Sequence, residues 1–369
     1  MKKEYQICTR CVMDNRSDNT IKFDSNGHCN YCSCALSQLG SVYLPGSEGE
    51  NIINELIQGL KYKNKNKEYD CIMGISGGLD SSYLAYLGAA KWGLRILAVH
   101  VDDGYDTEIS KRNIKKLCEK ANINLITIQP DAKQFNELTR AYLFAGVPNI
   151  AAPQDNVLFA CIYKFIKEKK IKTFLSGGNF ALECILQRGN THDAMDTRNI
   201  KDINKKFGRE KIDKLPLISN FNKDIDSFLL NIESPRPLNY IDYNRDRALK
   251  ELHDFCGFEY YGSKHLENTL TKFIQLYWFY HKFNVDKRKS HLSSMIVSGQ
   301  MTREKALEIL KEPLYDKEEM ENEIELILEK LDLTKEKFDF IMKEEPKQHT
   351  DYNTSIYRTI RDSIKRIVK

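Results

Sequence analysis

The apolar run Asp70-Cys71-Ile72-Met73-Gly74-Ile75 leads without a break into Ser76-Gly77-Gly78-Leu79-Asp80-Ser81-Ser82. This junction limits the possible folds more than any other stretch of the chain. It reads as a strand end, a glycine turn and a helix start. Two glycines let the backbone turn tightly with its N–H groups pointing inward, and Ser76, Ser81 and Ser82 add hydroxyls. The first helical turn contributes the positive end of its dipole, so the segment is built as an anion cradle. It is not the nucleotide loop that ends in Gly-Lys-Ser/Thr, because no lysine occupies it. The plainer alternative is a glycine turn that only caps a helix.

A chain of 369 residues holds about two domains, each able to bury its own core. With 41% hydrophobic and 29% charged residues it has the composition of a soluble globular protein. No apolar run approaches the ~20 residues that cross a bilayer. Met1-Lys2-Lys3-Glu4-Tyr5-Gln6 has no apolar core after its lysines, so it does not read as a secretory signal and the expected location is the cytoplasm. A net charge of +4 is mild for this length and does not imply nucleic acid.

The ten cysteines are unevenly spread. Cys8, Cys11, Cys29, Cys32 and Cys34 fall at the start, while Cys71, Cys118, Cys161, Cys184 and Cys256 are single and read as core packing. Cys8-x-x-Cys11 and Cys29-x-x-Cys32 have the spacing of a four-cysteine zinc site, with Ile21–Asp24 and Ser25-Asn26-Gly27 between them as a short hairpin. Two knuckles aim four soft sulfurs at one tetrahedral ion, and a segment this small draws most of its folding energy from metal. Cys34 or His28 is an alternative ligand. The expected organisation is a zinc ribbon over residues 1–45, a nucleotide-binding domain over 46–240 and a mainly helical region over 241–369.

Within the middle part, strand candidates at Asp70–Ile75, Arg95–Val101, Asn124–Ile128 and Lys172–Ser176 alternate with helical patterns. One such pattern places Ile114, Leu117, Cys118 and Ala121 on a single face. The alternation predicts an α/β fold, a doubly wound parallel sheet that binds its ligand outside the carboxyl ends of the strands. Polar motifs gather at those ends. The second strand ends in His100-Val101-Asp102-Asp103-Gly104, and the fourth in Ser176-Gly177-Gly178-Asn179 with Glu183 one turn on. Acidic and amide groups there suit Mg²⁺, which neutralises phosphate charge; Asp80 is the best candidate because it lies inside the loop. Gln154 and Asp155, at the start of the helix running toward Lys169, are candidates for holding substrate hydroxyls. After Tyr240, Leu266–Phe283 reads as a packed aromatic helix, Thr302 opens a capped surface helix, and the tail from Tyr357 is basic and amphipathic.

Ser-Gly-Gly-x-Asp-Ser resembles the pyrophosphate loop of the ATP pyrophosphatases, also called adenine nucleotide alpha hydrolase-like proteins. The resemblance sharpens when other motifs join it. These are Cys8-Thr9-Arg10-Cys11-Val12-Met13-Asp14, Phe23-Asp24-x-x-Gly27-x-Cys29-x-x-Cys32, Gly262-x-Lys264-His265-x-Glu267 and Asp286-Lys287-Arg288-x-x-His291-Leu292-Ser293. Together they resemble bacterial N-acetyl sugar amidotransferases of surface polysaccharide biosynthesis. That resemblance implies conversion of the acetamido group of a nucleotide-activated N-acetyl sugar to acetamidino, with ATP split to AMP and pyrophosphate. It implies ATP contacts at Ser76, Gly77, Gly78, Asp80, Ser81, Ser82, His100, Val101, Asp102 and Gly177. It implies Mg²⁺ or substrate contacts at Asp80, Asn179, Glu183, Gln154 and Asp155. Asp80, Lys264, His265, Lys287 and Arg288 are the expected catalytic groups.

No Met-Cys start and no cysteine–histidine glutaminase site is evident, which leaves free ammonia or a separate glutaminase. The resemblance favours a class I glutaminase subunit. The rival reading is tRNA thiolation, which requires a reactive cysteine pair or cluster at the ATP site; a decayed nucleotide fold acting as a scaffold ranks last, since Ser76–Ser82 is intact.

Overall fold

The computed structural model describes residues 4–262, 266–357 and 360–361. Lys264 and His265, and most of the basic tail, lie outside the described residues. The ribbon begins with two knuckles, each closed by an antiparallel bridge, Ile7 to Asp14 and Phe23 to Cys29. Helix α1 (Asn30–Leu36) starts inside the second knuckle, where the Cys29 sulfur accepts from the Cys32 N–H at its N-terminus. Helix α2 (Ser47–Lys63) then leads into the sheet.

Strands β1 (Cys71–Gly74), β2 (Ile96–Val101) and β3 (Asn124–Ile128) are parallel, in the order β1-β2-β3. Cys71 is paired with Ile96, and Leu97 with Asn124. The expected fourth strand, Lys172–Ser176, is shorter than the sequence suggests. It adds to β1 through a parallel bridge of Ile72 to Phe174, and Thr173 bridges onward to Glu233. The ladder is cut short because the chain leaves the sheet at once into Gly177-Gly178. Even so, the Ile72 N–H donates to the Thr173 carbonyl and Leu175 N–H to that of Ile72, both at 2.9 Å.

Alternation along the strands sends side chains to two faces, and helices cover both. Cys71, Met73 and Ala98 pack with Leu84 of α3 (Leu79–Tyr86) and with Ile114 and Leu117 of α4 (Glu108–Lys120). On the other face Ile72, Leu97 and Val99 pack on Ile162 and Ile166. α5 (Ala132–Ala145) ends at Gly146, whose φ of 65° closes the helix in the left-handed region. α6 (Ala152–Lys169) supplies Ile162 and Ile166 and starts with Pro153 in its first turn, where its missing N–H costs no helical hydrogen bond. The fold is therefore a doubly wound α/β fold.

Short helices follow: α7 (Phe180–Glu183), α8 (Thr197–Phe207), α9 (Asn220–Leu230) and α10 (Arg245–Cys256). The remainder is helical: α11 (Thr269–Phe273), α12 (Phe279–Phe283), α13 (Arg288–Val297), α14 (Arg303–Ile309), α15 (Lys317–Lys330) and α16 (Lys335–Lys343). The aromatic stretch is core: Phe273 and Trp278 join Phe135, Tyr142 and Phe338 in one cluster, and the Trp278 N–H donates to the Val147 carbonyl at 3.0 Å. α13 is wedged between the ribbon and α7. Its Ser293 accepts from the Val12 N–H at 3.2 Å and its Ser294 from the Ile185 N–H at 3.0 Å. No helix among the described residues is long and apolar enough to cross a membrane.

Candidate active site

The turn after β1 depends on glycine for steric reasons. Gly77 has φ +77°, and a Cβ there would meet the Ser110 carbonyl at 2.6 Å. A Cβ on Gly78 would meet Glu267 Oε1 at 2.5 Å. Inside the loop the Ser76 hydroxyl accepts from the Gly78 N–H at 3.2 Å, and Ser81 Oγ stands 3.4 Å from the Ser76 N. At the start of α3 the Leu79 N–H donates to the Tyr261 hydroxyl at 2.9 Å. Backbone donors, two serine hydroxyls and a helix N-terminus thus converge at the strand end.

Two cavities flank this loop and share Ser76, Ser81, Gly177 and Glu267 in their walls. The larger, about 470 Å³, runs along the carboxyl ends of β1 and β2 and is walled by His100, Val101, Gln154, Asp155 and Lys287 among others. The smaller, about 180 Å³, holds Asp80, Glu183, Arg245 and Tyr261. Of the sequence candidates, Ser76, Gly78, Asp80, Ser81, His100, Val101, Gln154, Asp155, Gly177, Glu183 and Lys287 therefore lie in one walled cleft.

Others do not. Ser82 is fully buried in α3 and lines neither cavity. Asp102 turns away to accept from the Gly104 N–H at 3.0 Å, while Asp103, one residue on, faces the cleft. Asn179 is the cap of α7, accepting from the Leu182 N–H at 2.9 Å. Arg288 pairs with Asp286 at 2.8 Å and donates to the Glu312 carbonyl at 3.0 Å, which ties α13 to the end of α14.

The electrostatics of the cleft follow from its burial. Desolvation opposes the charge on His100, yet Asp106 at 2.9 Å and the Ile75 carbonyl at 2.9 Å outweigh it and raise the imidazole pKa. Burial, with Asp106 nearby, pushes Asp103 up to about 6. Its carboxyl accepts from Tyr105 N–H and from the Asn268 amide, both at 3.0 Å, and also from Gln154. Asp155 is open to the cavity but recessed deep in the protein, and burial pushes it up to about 6. The Lys287 ammonium, 5.3 Å over the Phe279 ring, is brought down to about 8 by the same cause. Neither Asp155 nor Lys287 has a side-chain hydrogen bond or ion pair among the described residues. An acid and a base thus face the larger cavity uncommitted. Behind the smaller one the buried Tyr243 hydroxyl donates to Asp80, and burial beside that carboxylate keeps Tyr243 well above its ordinary pKa and so a neutral donor.

Sequence reasoning passed over Glu267, Asn268, Asp106 and Tyr243 as site residues, and weighed Asp103 only as part of the motif that ends the second strand. Glu267 and Asp103 sat inside motifs already singled out. Tyr243 carried no local signal, because only the fold brings it to Asp80.

The four cysteines of the ribbon form a separate, closed centre. Cys8, Cys11, Cys29 and Cys32 are buried and their sulfurs all lie within 4.8 Å of one another. Cys8–Cys32 and Cys11–Cys29 sulfurs are 3.7 and 3.6 Å apart. A tetrahedral ion with bonds of about 2.3 Å to sulfur requires edges of about 3.8 Å, so the set fits one metal ion. The Cys11 and Cys29 N–H groups donate to Cys8 Sγ at 3.4 and 3.2 Å, which favours thiolate. His28 instead contacts Arg10 at 2.6 Å and exposed Cys34 lies outside the cluster. The Arg303 guanidinium holds the centre from outside, donating to the Cys8 carbonyl at 2.9 Å and to that of Cys11 at 3.0 Å.

Two family models match this chain. One, described as NAD synthase, matches residues 52–152, and the other, described as LPS biosynthesis protein WbpG-like, C-terminal domain, matches residues 267–364. Among solved structures, the chain is similar to the NH3-dependent NAD synthetase from Campylobacter jejuni subsp. jejuni NCTC 11168, at 15% identity and a TM-score of 0.29, over 50% of this chain and 84% of that one. It is also similar to the U34-tRNA thiolase NcsA from Methanococcus maripaludis with its 4Fe–4S cluster, at 15% identity and a TM-score of 0.33, over 83% and 89% of the two chains.

Proposed function

We propose that this chain, which belongs to the ATP pyrophosphatase superfamily and carries a WbpG-like C-terminal domain, is an amidotransferase acting on a nucleotide-activated N-acetyl sugar. The matches support an ATP-using, ligase-type enzyme of lipopolysaccharide biosynthesis. One observation carries the finer reading. Glu267, Asn268, Thr271 and Lys287, all from the WbpG-like region, complete the wall of the cavity that begins at the NAD synthase-like loop. The two matched regions therefore share one site, which suits a reaction joining ATP cleavage to a second, larger substrate.

An amide carbonyl is a poor electrophile and its oxygen a poor leaving group. In the proposed first step that oxygen attacks the α-phosphorus of ATP, and the bond to pyrophosphate breaks. Ser76, Ser81 and the Gly78–Leu79 turn hold the departing pyrophosphate, and Lys287 supplies positive charge to the phosphates. Ammonia then attacks the amide carbon, the carbon–oxygen bond to AMP breaks, and a proton is lost to leave the acetamidino group. Asp155, with a pKa of about 6, is suited to take that proton. Mg²⁺ would be held by Asp80 with Glu183 or Glu267, and bound there it would neutralise charge on the β and γ phosphates. Zinc in the ribbon is a structural element of this reading.

The thiolation reading is disfavoured by the same cavities, since no cysteine lines either one among the described residues. Purified protein is incubated with ATP, Mg²⁺, ammonium and a panel of nucleotide-activated N-acetyl sugars. The expected products are AMP, pyrophosphate and a sugar in which oxygen is replaced by NH, read by exact mass or labelled ammonia. ADP and phosphate as the main products overturn the assignment of the loop.

A further inference from the structure

A third cavity, about 470 Å³, lies between α1 of the ribbon and the segment that follows α7. Its wall includes Tyr31, Cys34, Glu183, Cys184, Gln187 and Thr191. Thr191 is also in the wall of the nucleotide cavity, and Glu183 in that of the smaller cavity beside Asp80. At its other side Cys34 and Leu186 are exposed to solvent. The cavity thus borders both compartments of the cleft and reaches the surface.

Gln187 gives this space a chemistry. It is 2% exposed, and neither its amide nitrogen nor its oxygen has a hydrogen-bond partner among the described residues. A buried amide with no partner is unfavourable unless something in the cavity satisfies it. The occupant of that part of the wall must both accept one hydrogen bond and donate another. Charge does not select, since Glu183 and Arg188 are both in the wall. Hydrogen bonding does, because an ammonium ion has no lone pair and cannot accept from the Gln187 amide. Burial pushes the Cys184 thiol up to about 11, which keeps it neutral. The Tyr31 hydroxyl is already committed, donating to Asp18 at 2.7 Å and accepting from the Arg188 N–H at 2.8 Å.

We infer that this cavity is the route by which uncharged ammonia reaches the cleft, with Gln187 as the polar station along it. The inference rests on the amidotransferase reading. Ammonia matches the Gln187 amide on both sides, accepting from its nitrogen and donating to its oxygen. Water satisfies the same groups when ammonia is absent, so the path needs no moving gate.

The test separates this inference from the reading beneath it. Sugar-dependent exchange of pyrophosphate into ATP reports the first step and needs no ammonia. It is measured with the panel of activated N-acetyl sugars, and amidation is then measured with ammonium chloride at fixed pH for the sugar that supports exchange. Gln187→Met conserves volume and removes an amide without partners, so the melting temperature should hold or rise. Exchange should be unchanged, while the KM for ammonia rises about 3- to 10-fold, the effect of one lost hydrogen bond. Cys184→Phe, which narrows the cavity, should raise that KM further, and its melting curve reports whether it folds. Intact exchange with an unchanged KM for ammonia in folded Gln187→Met overturns the route. Absence of exchange with every sugar in the wild type overturns the amidotransferase reading instead, and the route with it.

Discussion

The Ser76 hydroxyl, in the glycine loop, donates to the carboxylate of Glu267, 191 residues later in the chain, at 3.3 Å. The same carboxylate occupies the space that a side chain at residue 78 would need. The loop is therefore shaped by the C-terminal region as well as by its own glycines. Thr107 strengthens this closure, since its N–H and its hydroxyl both donate to the Glu267 carbonyl at 3.1 Å. A nucleotide domain cut from its C-terminal partner would lose one wall of its cleft.

Glu267→Gln preserves the shape at Ser76 and removes the charge. AMP formation should fall about 10²-fold or more, in line with the loss of one preorganised electrostatic group, with little change in melting temperature. An unchanged rate would mean that Glu267 only orders the loop.

Tyr243 acts on Asp80 rather than on substrate. Removing a hydrogen bond to a charged group costs about 1.5–3 kcal/mol, so Tyr243→Phe should slow ATP cleavage about 10-fold or more and raise the Mg²⁺ needed for half-maximal rate. Tyr83, stacked on Tyr243 at 5.5 Å and bonded to Glu251 at 3.0 Å, lines neither cavity and supplies the control. Tyr83→Phe should leave the Mg²⁺ dependence alone, and equal effects from the two variants would reduce Tyr243 to packing.

How much of this was legible in the sequence depends on the range of the interaction. β3 begins and ends at the expected residues, Asn124 and Ile128, because alternation and flanking turns are local signals. The strand at 172–176 is reduced to bridges because pairing depends on what lies beside it. The same holds for the pair Asp102 and Asp103. Both are acidic residues just past the end of β2, and only the backbone path after Val101 decides that the second faces the cleft. Ser82 looked like a loop hydroxyl, but helical geometry turns it into the core. Arg288 looked like a phosphate ligand, yet it is held by Asp286, two residues before it, and by carbonyls at the end of α14. The aromatic stretch was readable as core because helical spacing alone sets that face.

Asp155 gives the cleft a pH signature. Its folded pKa of about 6 lies above the ordinary value of about 3.9. The carboxyl therefore favours the folded state most when protonated in both states. Stability declines as pH rises from about 4 through about 6, then levels. Asp155→Asn lacks this decline, so the melting-temperature difference between variant and wild type should be small near pH 4 and positive above pH 6. A difference that is flat across this range would place Asp155 in ordinary solvent.

The ribbon should carry about one metal ion per chain, and zinc is expected from four thiolates. Its removal should reach beyond the first 45 residues. The Asp14 carboxylate pairs with Lys289 of α13, and Val12 packs with Leu292 and Ala306. Cys8→Ser should therefore lose metal and also increase hydrogen exchange in α13 and α14, whereas Arg303→Ala should weaken metal retention with all four cysteines in place. Iron in place of zinc on elemental analysis would reopen the thiolation reading.

The source of ammonia yields the last prediction. No cysteine lines either cavity of the proposed ATP cleft among the described residues. Glutamine alone should therefore fail as nitrogen donor. Ammonia is mostly protonated at neutral pH, and the ammonium ion has no lone pair with which to attack. Free ammonium should support the reaction only at high concentration, with an apparent KM for total ammonium that rises roughly tenfold for each unit the pH lies below the ammonia pKa. A cognate class I glutaminase should make glutamine effective at neutral pH, because ammonia released at an interface enters the cleft before it is protonated. Excess glutamate dehydrogenase with 2-oxoglutarate and NADPH, which together remove ammonia from bulk solution, should stop the ammonium-driven reaction and spare the glutaminase-driven one. Equal inhibition of both would mean that nitrogen passes through solvent, and efficient use of glutamine by the isolated chain would overturn the need for a partner.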